Sequence, residues 1–335
     1  MMDYLPLSDN AARQIIDAIA VLTEHRRCSD QARRFSGGMY WKRQGAYEYL
    51  VKTGRNNRQQ RLGSRSPETE QTYAAFTQAK QAAQVRLQSL RTALQEAERL
   101  NKAVKAGRVP NIVVSLLNTL DVLDLAQHFV VVGTHALYAY EAAAGVRIVQ
   151  SALATQDVDL LWDARRRVQF VTDLQRTDAS MLQVLQQVDP SFRRKELHNE
   201  TAVNDRGFEV DFLRRMAVDG DPHPFRFSAD EDDLWPVQAQ GAAVLTSAPV
   251  FEHPVISATG RMAWMRTVAP ATFVAFKRWM AESAPLRPAM KRRRDLRQAD
   301  IVQAMLDDGL LFESGAESTQ RNHEPADSGR LPRQG

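Results

Sequence analysis

The run "LATQDVDLLWD", residues 153 to 163, reads as a buried strand, yet it carries Asp157 and Asp159 one residue apart. Side chains two positions apart in a strand point to the same side of a sheet. The two carboxylates therefore project together, while Val158 and Leu160 face the core. Carboxylates this close repel unless a cation lies between them. Magnesium, which takes one or two carboxylates plus phosphate oxygens, is the natural partner. A bare pair of aspartates also occurs where a strand simply meets solvent or caps the next helix, so the flanking segments decide its meaning.

Upstream, "VVVGTHALYAYE" reads as a strand, then Gly133 and Thr134, then a helix. A helix start offers free backbone N–H groups to a phosphate, Gly133 lets the backbone approach closely, and Thr134 can cap the helix or touch a phosphate oxygen. Downstream, "GFEVDFL" alternates Phe208, Val210 and Phe212 with Glu209 and Asp211, a second pair of carboxylates on one strand face.

These three elements in this order resemble the DNA polymerase beta-like nucleotidyltransferase superfamily, whose pattern is a small-residue pair opening a helix, a D-x-D strand and a third acidic strand. Residues 110 to 215 carry the resemblance. The framing "VVVGTHALYAYEAAAGV" followed by "TQDVDLLWD" is similar, more narrowly, to bacterial nucleotidyltransferase-fold proteins related to the toxin/antitoxin nucleotidyltransferases. Two departures stand out. Thr134 replaces the usual serine or glycine, and "EAAAGVRIVQSALA" lengthens the gap to Asp157.

The resemblance implies an α+β protein with a nucleotidyltransferase fold, a mixed sheet with flanking helices, and helical modules on either side. It implies magnesium-dependent transfer of a nucleotidyl group from a nucleoside triphosphate to a hydroxyl on RNA, protein or a small molecule. Asp157, Asp159 and Asp211 would be the catalytic and metal-binding residues, holding two Mg2+ ions, and Asp211 would also accept the acceptor's proton. Gly133, Thr134 and Lys277 would bind the triphosphate. Glu209 faces the same way as Asp211 and could share its role, as Arg278 could share that of Lys277. His135 could touch substrate, though a first-turn histidine reads more readily as a surface or packing residue.

The rest of the chain divides around that core. Residues 1–108 read as a helical arm: a helix over 9–35, a β-hairpin around Gly45 in "MYWKRQGAYEYLVKTG", a mobile loop over 53–66, and a long helix capped by Ser66 with Pro67 at its first position. That helix keeps Phe76, Lys80, Ala83, Leu87, Leu90, Leu94 and Ala97 on a heptad-like seam. The seam calls for a helical partner, either the first helix or another copy of the chain through residues 67–107. Residues 109–232 form the nucleotidyltransferase-fold core. Residues 233–313 read as mainly helical with a strand-like "RMAWMRTV", and 314–335 as a disordered tail.

Composition narrows the classes. A net charge of +4 carried mostly by arginine, with the charge run "KRRRDLRQAD" over 291–300, points to a polyanionic partner, RNA among them. The hairpin interleaves aromatics with lysine and arginine, as nucleic-acid stacking surfaces do, though such hairpins also pack their aromatics inside. Cys28 is the single cysteine, which excludes an internal disulfide framework and any multi-cysteine metal site. No apolar stretch approaches the ~18 residues of a membrane span, so a cytoplasmic protein without membrane partners is expected. Two other readings compete: a non-catalytic regulator of the same fold binding nucleic acid or a partner protein, and a glycosyltransferase using the D-x-D pair. Three intact aspartates favour the enzyme.

Overall fold

The computed structural model describes residues 3–312 apart from 36, 55–57 and 285–286; the tail expected from Ser314 onward lies outside the described residues. The chain divides into two compact units, and each takes in a sequence-distant segment. Of the described residues, one unit comprises 8–108 with 258–262, the other 3–7, 109–257 and 263–312. No helix among the described residues is long and apolar enough to cross a membrane.

The unit over 8–108 contains α1 (Asp9–Arg34), three strands and the long helix that follows them. After a short strand β1 (Tyr4–Pro6), which belongs to the other unit, come α1, β2 (Gly38–Gln44), β3 (Tyr47–Thr53), β4 (Gln59–Ser64) and α2 (Pro67–Ala103). Ser66 caps α2 in a capping box with Thr69, and Pro67 opens it, an arrangement worth about 1 kcal/mol. The partner of α2 is α1. Ile15, Ala18 and Leu22 on α1 and Leu90 and Ala97 on α2 are buried, and Gln14 Nε2 donates to Asn101 Oδ1 at 3.1 Å. Asn101 in turn donates to the Gly260 carbonyl at 3.1 Å, closing the unit with its distant segment. The stretch 53–66 is not wholly loop. Its residues 59–64 form β4, paired antiparallel with β3, and 55–57 lie outside the described residues. Its glutamines and arginines carry no apolar alternation, so the pairing is set by the neighbouring strand rather than by its own pattern.

The second unit runs α3 (Asn111–Val122), β5 (Phe129–Val132), α4 (Ala136–Ala144), β6 (Val146–Ile148), α5 (Gln150–Leu153), β7 (Asp157–Trp162), α6 (Arg167–Gln175) and α7 (Met181–Gln186). It continues with β8 (Arg193–Lys195), β9 (His198–Val203), β10 (Glu209–Arg214), β11 (Val237–Gln238), α8 (Ala242–Ser247), β12 (Val250–Ile256), β13 (Met262–Val268), α9 (Pro270–Glu282) and α10 (Ala289–Asp307). Its mixed sheet has the order β12-β13-β5-β7-β10-β9-β8, with β11 beside β10. The stretch read as mainly helical with one strand-like segment, 233–313, thus supplies three strands to this sheet, β11, β12 and β13. Pro254 interrupts the alternation of β12 and is tolerated because that strand lies at the sheet edge.

Strand alternation divides this sheet into an apolar and a polar face. Phe129 and Val131 of β5, Leu160 and Trp162 of β7, and Val210 and Phe212 of β10 share one face and are buried. Rings of Phe170, Phe225 and Phe227 close over it, with Trp162 and Phe225 stacked at 4.8 Å. Each such side chain contributes roughly 1.5–3 kcal/mol on burial, enough in sum to hold an opposite face that is electrostatically unfavourable. That opposite face carries Asp157, Asp159, Glu209 and Asp211.

Candidate active site

β7 and β10 run parallel, and their register sets Glu209 beside Asp157 and Asp211 beside Asp159. Asp157, Asp159 and Asp211, all half-buried, each offer an oxygen within 4.8 Å of the others, a set that can hold a metal ion. Two of the three are oriented by hydroxyls. Thr155 Oγ1 donates to Asp157 Oδ1, and Thr201 Oγ1 donates to Asp211 Oδ1 at 2.5 Å. Burial, reinforced by the charges of Asp157 and Asp211, pushes Asp159 up to about 7. Burial also raises Asp211, against the pull of the Thr201 hydroxyl.

Glu209 is committed elsewhere: Lys195 Nζ donates to its Oε1 at 2.5 Å. Of the two carboxylates that share this strand face, the lysine thus pairs with Glu209, while Asp211 belongs to the three-carboxylate cluster.

Gly133 and Thr134 stand at the end of β5, in a short 3-10 turn (Gly133–His135) that precedes α4. A Cβ on Gly133, which has φ +69°, would lie 2.1 Å from Asp159 Oδ2. The demand for glycine thus comes from the close approach of Asp159. Thr134 does not cap α4. It is buried and accepts a hydrogen bond from Gln298 Nε2 of α10 at 3.1 Å. The long gap before Asp157 is folded into α4, β6 and α5, and Gln298 also donates to Ala152 O at 2.8 Å.

Lys277 of α9 reaches the same cleft, a cavity of about 470 Å³ lined by Gly133, Thr134 and the three aspartates, with Arg287, Lys291 and Arg294 at its basic side. Lys277 is buried, and its Nζ donates to Asp295 Oδ1 at 2.9 Å, while Arg287 Nε donates to Asp295 Oδ2 at 2.6 Å. Burial pushes the Lys277 ammonium down against the pull of Asp295. Burial alone would raise Asp295, but Arg287 and Lys277 together hold it below the usual carboxylate range. Among the described residues, none donates a hydrogen bond to Asp159. A cluster of three carboxylates, an oxygen-only donor set, fits a hard divalent cation such as magnesium.

Further residues weighed from sequence are engaged in other contacts. Arg278 turns to Asp300 at 3.6 Å and lines a different cleft. His135 is buried between Tyr138 and Phe208, and burial pushes it down to about 4. Within the charge run 291–300, Arg292 is spent on the Ala281 carbonyl at the end of α9 and Arg297 on Asp3. Arg287, Thr155, Thr201, Gln298 and the stacked pair Phe276 and Trp279, whose centroids lie 5.8 Å apart on the cleft wall, were not singled out from sequence. The only available signal was Asp295, an acid alone within the basic run 291–297.

Gly133→Ala should lose Mg2+-dependent thermal stabilisation and destabilise the metal-free protein by about 1–3 kcal/mol, the cost of a left-handed non-glycine residue plus a displaced Asp159. Gly145 has φ +64° and open space around its Cβ position, so Gly145→Ala isolates the backbone part. Melting curves with and without Mg2+ compare the two. Identical Mg2+ responses would remove the link between Gly133 and the carboxylates.

The sequence pattern of one family, described as nucleotidyltransferase, matches residues 111–320, more than half of the chain. No curated protein and no solved structure matches it.

Proposed function

Because the chain belongs to the nucleotidyltransferase family, we propose that it transfers a nucleotidyl group from a nucleoside triphosphate to an acceptor hydroxyl, using Mg2+ held by Asp157, Asp159 and Asp211. The observation that carries this reading is the convergence of three carboxylate oxygens within 4.8 Å in a cleft with a basic side. When bound, Mg2+ supplies charge neutralisation at the phosphates and makes the acceptor hydroxyl more acidic.

The chain's own residues divide the remaining work. Arg287, Lys291 and Arg294 meet the phosphate charge, and Lys277 is held by Asp295 at the cleft as a fixed positive charge. Phe276 and Trp279 offer a flat apolar wall to a base. Asp211 keeps Oδ2 free while Thr201 occupies Oδ1, and its raised affinity for a proton suits it to take one from the acceptor hydroxyl as the new phosphodiester bond forms and pyrophosphate departs. Gly133 keeps Asp159 undisplaced.

The test is incubation of the full chain with each α-labelled nucleoside triphosphate, Mg2+, and total RNA or cell lysate. Label should pass to an acceptor with release of pyrophosphate, and only when metal is present. Equal labelling by the natural chain and Asp157→Asn, or none with any of the triphosphates, would sink the proposal.

A further inference from the structure

We infer that the open face of the three-stranded sheet β2-β3-β4 is a stacking platform for a single-stranded polynucleotide. Antiparallel register separates the hairpin's aromatics onto two faces. Trp41 lies 6.0 Å from the Tyr73 ring of α2, Leu50 is fully buried, and Lys52 Nζ lies 5.9 Å from the Phe76 ring, so α2 covers one face. The other face aligns Tyr40 and Lys42 of β2 with Val51, which is buried, and half-buried Tyr49 of β3, sets Tyr47 beside Gln44, and places Arg61 of β4 opposite Val51. Tyr47 is 67% exposed and Tyr40 37%, and Lys42 and Arg61 are exposed.

Tyrosines are good strand formers even when nothing binds them, so their exposure alone decides nothing. Their setting does. The Tyr47 and Tyr49 rings sit 6.4 Å apart, and the Arg61 guanidinium lies over the Tyr49 ring, 3.1 Å from its centre. Glu48, the single acid of these three strands, points to the covered face and pairs with Arg65 at 2.6 Å. The open face therefore combines aromatic rings with positive charge and has no carboxylate. Unstacked bases lie on aromatic rings and guanidinium planes while lysine and arginine meet the backbone phosphates. A duplex, whose bases are stacked on one another, cannot use the rings. The inference stands independently of the catalytic reading.

Fluorescence anisotropy with labelled U and dT oligonucleotides of about 12 nucleotides and the full chain tests it. Both should bind, the same length of duplex should bind more weakly, and the difference between U and dT identifies RNA or DNA as the better ligand. The double variant Tyr47→Ala, Tyr49→Ala should weaken binding by about tenfold, while Tyr47→Phe, which keeps the ring, should not. Lys42→Ala with Arg61→Ala should lower the slope of log affinity against log salt by roughly 1 to 1.5. Asp157→Asn should bind oligonucleotide as the natural chain does, so failure of the catalytic reading leaves this result untouched. Circular dichroism melts verify that each variant is folded. Unchanged affinity in the folded double tyrosine variant, duplex binding as tight as single-strand binding, or loss of binding only in Lys291→Ala with Arg293→Ala would overturn the inference. So would sedimentation in which the tyrosine variants convert a dimer to a monomer, since the face would then be an interface between copies.

Discussion

Asp159→Asn is expected to abolish Mg2+-dependent triphosphate binding and, in metal-free buffer above pH 7, to melt at a higher temperature than the natural chain. Both effects come from one cause. Asp159 ionises in the folded protein only near pH 7, whereas an ordinary aspartate does so near 3.8. Folding therefore tightens its hold on a proton. Between about pH 4 and 7 the folded state carries that proton while the unfolded state has lost it, so stability falls as pH rises through this window. Below the window nothing is lost, and above it the full cost is present, on the order of 2–4 kcal/mol. Asparagine has no proton to lose and removes the slope, raising the alkaline melting temperature by about 5–10 °C. Mg2+ should restore the natural chain by answering the same excess charge and should do nothing for the variant. Calorimetry with Mg2+ and triphosphate, with melts from pH 4 to 8.5, reads both halves. Wild-type-like binding by Asp159→Asn would eliminate the metal site, and a flat metal-free profile in the natural chain would show that Asp159 is not the group under strain.

The second large effect belongs to β10. Asp211→Asn should retain appreciable triphosphate binding, because Asp157 and Asp159 persist, yet lose turnover by about 10²–10⁴ if Asp211 takes the acceptor proton. Glu209→Gln should cost much less turnover, since Lys195 already neutralises that carboxylate. Single-turnover rates beside triphosphate affinities separate the two. A dead Glu209→Gln beside an active Asp211→Asn would reverse the assignment.

The carboxylates were legible in sequence because a strand repeats every two residues. Asp157 with Asp159, and Glu209 with Asp211, declare a shared face wherever a strand is recognised. Strand periodicity alone did not separate Glu209 from Asp211; the family resemblance favoured Asp211, and the physical difference, Lys195 paired with Glu209, lies on a different strand. Lys277 was picked out as a basic residue on a helix, but its anchor, Asp295, lies on another helix within a run that otherwise reads as a solvated face. Arg287 and the Thr134–Gln298 contact were hidden for the same reason: their partners are chosen by helix packing rather than by local pattern. Gly133 was recognised as a place needing glycine, and the atom that needs the space, Asp159 Oδ2, belongs to the adjacent strand. β4 escaped because a polar strand has no hydrophobic period to reveal it.

The distant segment 258–262 that completes the unit over residues 8–108 has a consequence for the order of synthesis. A chain emerging from the ribosome presents α1, the three-stranded sheet and α2 early, but Asn101 lacks its Gly260 acceptor until 159 more residues have been made. At about 5–20 residues per second that is a wait of roughly 8–30 s. The other unit has the reverse schedule: β1 is made first and must wait for β6, more than 130 residues later, before it has a strand to pair with. Each unit therefore reaches its final form only after much of the other has been translated, and a nascent chain stalled near residue 200 would have completed neither.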